Sequence, residues 1–577
     1  MSKYNAWNPG VGSDIPPHLR PLITLFSVNN SKVSFVEATE AAEFCGLKAS
    51  QMCELSLERL IIHELLIRVT GDISVPDGPN YEDLGISLRS ITDQILSKHV
   101  MMEISSLSVS FDTFMEEAQS SISKLISEEL MHSSSKSIGS FKSKGLKFAS
   151  NSFKYLLNSK IIITEKEKAF SNYYEQKTNE SLNLESDCSN CVSIILNGIL
   201  KTHGRIIYDK ELLVKLTVRL FRNIYGSQKV GELISPIFYS AVEAEGYKLL
   251  PPQLKPMVMN TKGASASGKS TIRPQQRLLA ERMEIRWDEF ALISPDYWRK
   301  FLLDYDSLGS DYKYAAMLTG YELEIIDKKL DLYIEIKAEK NEMPHLLIDR
   351  FRFDSFRIDS EGGYQSKLLS RFGQKVLLFF VITPPQETVE RAWVRALSTS
   401  RYKAVEDLLF HNIEAYTGMP ELFFSWMGIK DKDINFEFLD NTVPLGETPK
   451  TIAFGKTDEM YILDLVGLNN IDLFKEVNVG AKCSEDVLIE KEIITYDFLK
   501  QCFLNFNVIY LINSNSKRIY AVIRKGAWIY KDKRSSPSGR QEHECLSALG
   551  WDTCFSKNEV EYEKISKIVN FEQTLGS

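Results

Sequence analysis

The sequence predicts a multidomain α/β protein. A central α/β domain built on a parallel sheet is preceded by a largely α-helical region and followed by a smaller α+β domain. Two observations carry this. First, no proline occurs between Pro79 and Pro236, and apolar residues there recur at three- and four-residue spacing, the period of amphipathic helices. Second, beyond Pro251, Pro252 and Pro256 short apolar runs alternate with longer helical segments, the pattern of a parallel sheet with crossover helices.

Taking the elements in order, helices are expected over Phe35–Val69, Asp83–Ile104 and Phe111–Met131, and a second helical stretch runs to about Tyr247. Between them Ser133 to Lys160 carries six lysines and no acid. It reads as a solvated linker or as a contact for an anionic lipid or acidic partner. Strands are expected at Met257–Asn260, Phe290–Ile293, Leu346–Asp349, Val376–Ile382 and Phe436–Leu439. After Pro444 and Pro449 the pattern changes again, and Val508–Lys531 reads as antiparallel strands joined by a polar turn. The expected domains are 1–132, mainly helical; 133–250, the basic linker and second helical region; 251–446, the α/β domain; and 447–577, the α+β domain.

Composition excludes several classes. With 44% hydrophobic and 25% charged residues the chain is ordinary globular protein. The 69 basic residues are outnumbered by 77 acidic ones, which argues against general nucleic-acid binding. The longest clear apolar run, Val376 to Ile382, is far shorter than a membrane helix. Eight cysteines in 577 residues are too few for a disulfide framework. The opening residues lack a signal peptide's apolar core. A cytoplasmic, reducing location is therefore expected. Cys188 and Cys191 form a single C-x-x-C with His203 nearby, short of the four ligands of a structural zinc.

The chemical signal is concentrated in Gly263–Ser270, which fits G-x-x-x-x-G-K-[ST]. It follows an apolar strand and precedes a helical stretch, as a phosphate-binding P-loop must. Gly263 and Gly268 allow close backbone approach. Amides of Ala264, Ser265, Ala266, Ser267, Gly268, Lys269, Ser270 and Thr271 can converge on phosphate. Lys269 would reach the β- and γ-phosphates of a nucleotide triphosphate, and Ser270 would ligate Mg²⁺. With no N-K-x-D box in the chain, ATP is the default nucleotide. Pro274 is expected to bend the following helix.

Other candidates fall where parallel strands end, the edge at which open sheets bind ligands. Ser294 is a candidate N-cap and Pro295 suits the first helical position, so Asp296 enters a helix's first turn. There it can accept a proton from an attacking hydroxyl or simply complement the helix dipole. Asp349 closes the third strand and can serve Mg²⁺. Arg350, Arg352 and Arg357 follow, for an anionic substrate or a solvated loop. Arg391 and Arg395 share a helix face and Arg401 lies in the next break; such arginines can close on transferred charge. Glu387 and Arg391 also have ion-pair spacing. Asp440 and Asn441 end the fifth strand.

In this order the pieces from about Pro256 to Gly446 resemble the zeta-toxin family of P-loop kinases: GASASGKST, the D-x-x-R of Asp296 and Arg299, a long helical insert, and the strand ending in Asp349, then VITPPQETVERAWVRA and FEFLDN. The resemblance implies an ATP-dependent kinase with Asp296 as base; Arg299 and Asp349, which match its pieces, and Arg352, from the arginine run, are the candidate substrate contacts. Known members phosphorylate a hydroxyl on a uridine-diphosphate amino sugar. Here an Arg-Phe-Arg run follows Asp349 where members commonly carry an acid-Gly-Thr-type signature. The expected function is thus an ATP/Mg²⁺-dependent transfer to a hydroxyl of an unidentified substrate. The alternatives are a nucleotide-regulated switch, with protein partners on its helical or C-terminal regions, and an ATPase.

Overall fold

The computed structural model describes residues 4–80, 82–134, 184–205, 207, 209–350, 356, 373–444, 446–490, 494–532, 539–552 and 574–576. Its helical part contains α1 (Phe35–Cys45), α2 (Leu57–Asp72), α3 (Asp83–Ile95), α4 (Ile104–Ser134), α5 (Leu184–His203), α6 (Lys210–Phe221) and α7 (Ser227–Ala244). The helix expected over Phe35–Val69 is broken in two. Gly46, at φ +63°, closes α1 in the left-handed conformation, and the Ser56 side chain accepts from Arg59 N to start α2. The run from Asp83 passes through a π turn at Leu96–Val100 before α4. Cys188 and Cys191 are buried residues of α5. The basic stretch lies outside the described residues from 135 onward.

Among the described residues ten strands form one sheet: β1 (Met257–Gly263), β2 (Phe290–Ile293), β3 (His345–Asp349), β4 (Lys375–Ile382), β5 (Asp433–Asp440), β6 (Lys450–Lys456), β7 (Glu459–Ile462), β8 (Val508–Ile512), β9 (Ile519–Arg524) and β10 (Ala527–Lys531). Their order is β10-β9-β8-β7-β6-β5-β4-β1-β3-β2. The five strands β2, β3, β1, β4 and β5 are mutually parallel, with Val258 of β1 opposite Leu346 of β3 and Val376 of β4. Burial on both faces explains why β4 reads as a nearly continuous apolar run; β1 is as buried but apolar only over Met257–Met259, with Asn260, Thr261 and Lys262 buried after them.

Among the described residues, the strands of 447–577 join the central sheet. β6 pairs antiparallel with β5, and β7 to β10 extend the same sheet. One hydrophobic core also runs from Leu19 through β1–β5 to Trp551. β6 and β7 escape sequence reading because polar residues interrupt their apolar runs, Lys450, Thr451 and Lys456 in β6 and Glu459 in β7. The α8 (Arg273–Arg282), α9 (Gly320–Glu339), α10 (Pro385–Thr399) and α11 (Val405–Met427) helices connect the parallel strands, and α12 (Leu465–Leu473), α13 (Asp497–Asn505) and α14 (Arg540–Ala548) accompany the later ones. Among the described residues no helix is long and apolar enough to cross a membrane.

The central topology fixes where a ligand can sit. From β1 the chain steps past β3 to β2, returns to β3, and then crosses β1 to reach β4 and β5. Connections therefore leave β1's two neighbours in opposite directions, the switch point at which open α/β sheets form their binding crevice.

Candidate functional site

The loop after β1 lies at that switch point. Lys269 folds its ammonium back over the loop, donating to Gly263 O (3.1 Å) and Ala264 O (2.8 Å). Neighbouring strand ends fasten the loop's far side. Thr383 Oγ1, just past β4, donates to Ser267 O (2.9 Å), and Asn441 Nδ2, just past β5, donates to the same carbonyl (2.8 Å). Tyr416 of α11 locks Thr383 in turn, accepting from its N–H (2.9 Å) and donating to its carbonyl (2.7 Å). Ala264, Ser265 and Ser267 are buried, while Thr271 is exposed and bonds Gly268 O (2.7 Å).

Both glycines are required. A Cβ on Gly263 would lie 2.6 Å from Ser267 Oγ and 2.9 Å from Val381 O. Gly268 holds φ +94°, and a Cβ there would fall 2.1 Å from Asn441 Nδ2. Ala266 occupies the left-handed region as well, at φ +62°, a conformation that costs an alanine about 1–2 kcal/mol and marks strained functional loops. Gly268→Ala is expected to cost at least about 1–2 kcal/mol and to break the Asn441–Ser267 anchor. Thermal melting and nucleotide affinity measured together will show both losses.

The sequence leads one to expect a bent helix at Pro274, and the structure corrects this. Lys269–Ile272 form a 3₁₀ turn and α8 begins only at Arg273. Pro274 is thus in the first turn, where its missing N–H is not needed. Ser294 likewise differs from expectation: its side chain makes no capping bond, and Pro295–Trp298 is a 3₁₀ turn.

Ser270 Oγ donates to Asp349 Oδ2, which brings the two expected metal ligands together at the ends of β1 and β3. A hydroxyl and a carboxylate are hard oxygen donors of the kind Mg²⁺ takes beside nucleotide phosphates, so the pair fits the ion. Asp296 acts with Asp349 on the charge of Lys269; its side chain is 38% exposed and paired with Arg299 (3.1 Å) and Arg401 (2.5 Å). Burial alone would raise its carboxyl, but Arg401, Arg299 and Arg395 hold it well below the usual carboxylate range. Arg299 also reaches Thr319 Oγ1 (2.8 Å).

The three arginines after β4 divide. Arg401 reaches Asp296, and the charge of Arg395 acts on Asp296 and Lys269. Arg391 instead ties α10 to the β5 exit, donating to Glu387 (2.9 Å), Asn441 O (2.6 Å) and Val443 O (3.1 Å). Arg350 turns away into a buried ion pair with Asp327 (2.9 Å) and Asp331 (2.5 Å) of α9. Arg352 and Arg357 lie outside the described residues.

Lys403 and His411 join the site without a sequence motif to mark them. Lys403 Nζ is 2.5 Å from His411 Nδ1. Its ammonium is pushed down to about 7, first by burial and then by the charges of Arg401 and Arg395, against the pull of Asp407 and Asp296. His411 is pushed down to about 3, by burial and then by Lys403, Lys269 and Arg401. It is a neutral acceptor at physiological pH. Burial also lowers the Lys269 ammonium, Asp349 and Asp296 opposing and Arg395 and Arg401 adding to the fall. Around one loop, then, Lys269, Arg299, Arg395, Arg401 and Lys403 face Asp296 and Asp349, an excess of positive charge suited to a polyanion.

This defines an α/β protein whose open sheet carries a cationic, glycine-bearing loop at its switch point. No protein-family model, curated protein or solved structure matches the chain.

Proposed function

We propose that the protein is an ATP- and Mg²⁺-dependent phosphotransferase that moves the γ-phosphoryl group to a hydroxyl of its substrate, in the manner of the zeta-toxin-like kinases its central third resembles. The observation that carries this reading is the meeting at one sheet edge of Lys269, the Ser270–Asp349 pair, and Asp296 with Arg401. Backbone amides of the loop and Lys269 hold the phosphates. Ser270 and Asp349 would hold Mg²⁺, which would supply positive charge beside the phosphates. Asp296, ionised at any physiological pH, accepts a hydrogen bond from the acceptor hydroxyl and orients it. Because phosphoryl transfer runs through a loose transition state, late proton acceptance by so acidic a carboxylate suffices. Arg401 and Arg395 supply positive charge beside the reacting phosphoryl.

A switch that only binds nucleotide has no use for a carboxylate and paired arginines at its site. The test follows radioactive phosphorus from the γ-position of ATP, with Mg²⁺, into protein and small-molecule fractions of a cell extract, using wild type and Lys269→Ala. Label in a discrete acceptor with wild type alone supports the kinase. Label only in free phosphate means an ATPase; tight binding with no turnover means a switch.

A proton count gives a second check. A polyphosphate beside Lys403 favours the charged form and raises its pKa from about 7. Binding near pH 7.5 is therefore expected to take up a fraction of a proton, read by calorimetry in two buffers of different ionisation enthalpy. Lys403→Met should remove the uptake.

A further inference from the structure

We propose that residues 4–13 are a positioning arm for the arginine-bearing hairpin of α10 and α11, with Trp7 its anchor; this rests on the phosphotransferase reading for its catalytic consequence. The tip of that hairpin is not held by the main core. Val389, Ala392, Val405, Leu408 and Leu409 belong to a small separate cluster, whereas the far half of α11, from Ala415 to Trp426, packs into the main core. Ala6 joins that cluster and Trp7 packs against it from the arm, Val477, Ala481 and Val487 join it from the segment after α12, and Ala266 of the loop packs against it too.

The attachment continues on both sides of the Arg401 turn. Trp7 Nε1 donates to Glu390 Oε1 of α10 (2.7 Å), across 383 residues of sequence. Val11 packs with Ala396 and Tyr402 in a further separate cluster. Ser13 Oγ donates to Glu406 Oε2 (3.2 Å) at the start of α11. The arm is itself held: Lys313 Nζ donates to Pro9 O (2.7 Å) and lies 3.4 Å from the Tyr4 ring centre. Contacts at 390–396 and at 402–406 thus bracket Arg395 and Arg401. The arm grips the turn that delivers Arg401 to Asp296.

Trp7 is a positioning residue: it acts through the placement of Arg395 and Arg401, and loss of placement is felt in the transition state more than in nucleotide binding. Trp7→Ala in the full chain is expected to lower kcat by roughly ten- to a hundredfold while KM for ATP stays within about twofold, since the bonds of Lys269 to Gly263 O and Ala264 O and the anchoring of Ser267 O by Thr383 and Asn441 do not involve the arm. Trp7→Phe keeps the aromatic packing and should restore most of the loss. Unchanged kcat in Trp7→Ala, or KM rising as far as kcat falls, would overturn the proposal.

A readout independent of turnover is backbone hydrogen exchange. Trp7→Ala should speed exchange at 395–404 by about tenfold or more, with β1 and β4 unaffected. Unchanged exchange at 395–404 defeats the arm whatever the reaction. Raised exchange in a protein whose wild type transfers no phosphoryl group upholds the arm and defeats the phosphotransferase reading instead.

Discussion

Lys269→Ala is expected to leave the protein folded and, on the phosphotransferase proposal, to lower phosphoryl transfer by about 10²–10³ or more, the scale of removing one charged or oxyanion-stabilising donor. The fold has little to lose. Lys269 bonds two carbonyls of its own loop, and its removal also relieves burial and the repulsion of Arg395 and Arg401. Melting temperature should therefore stay close to wild type while label transfer disappears. Asp296→Asn is the companion. It keeps the shape, removes the charge that holds Arg299 and Arg401, and is expected to abolish transfer with ATP binding retained. Full activity in Asp296→Asn and Asp296→Ala would remove Asp296 from the reaction.

Glu322→Ala is expected to be among the most destabilising single changes, at about 3–5 kcal/mol. Glu322 of α9 is fully buried. It accepts from Arg59 Nε (2.5 Å) and Nη2 (2.7 Å), a two-pronged pair, and from His63 Nε2 (2.7 Å), both on α2. The other imidazole nitrogen accepts from Lys329 Nζ (3.2 Å), which fits a neutral ring with its proton on Nε2. Removing the carboxylate strands a buried guanidinium between the helical region and the insert of the α/β domain. Replacing Arg59, His63 and Glu322 together by apolar residues of similar volume should cost far less. Chemical denaturation of both variants measures the contrast, and equal losses would refute the uncompensated-charge argument.

The same cluster sets the response to acid. His63 is pushed down to about 4, by burial first, then by Lys329 and Arg59 against Glu322. Between there and the ordinary value of about 6.5, the unfolded chain binds more protons than the folded one, so stability rises with pH across that window. Glu322 is held well below the carboxylate range: burial would raise it, but Arg59 and His63 prevail. Its contribution is present above about pH 4 and lost as pH falls further. Acidification from pH 6.5 should therefore weaken the protein steadily, and the apolar triple variant should lose most of that slope.

Much of the sheet was legible because its strands are buried on both faces. Phe290–Ile293 was read to the residue, and β1, β3, β4 and β5 to within a few at their ends. The motif residues Gly263, Gly268, Lys269 and Ser270 were legible because loop geometry and ligand chemistry demand those residue types at that spacing. Lys403, His411, Thr383 and Tyr416 carried no such mark. A lysine near an arginine is ordinary in sequence, and only packing lowers its pKa. The partners of Arg391 beyond Glu387, and those of Arg350, were illegible for the converse reason. An arginine after a strand has the same letter whether it meets solvent, a carbonyl or Asp327 and Asp331.

By itself the sequence determined the alternation of strand and helix, the glycine-bearing loop after β1 and the acid at the end of β3, since these follow from local periodicity and backbone sterics. Tertiary structure alone decided that the C-terminal strands extend one sheet, that Asp296 meets Arg401, and that residues 4–13 grip the hairpin carrying it. Each joins groups tens to hundreds of residues apart. Which distant partners meet is set by strand order and by the burial available once the sheet has formed, and no local pattern encodes either.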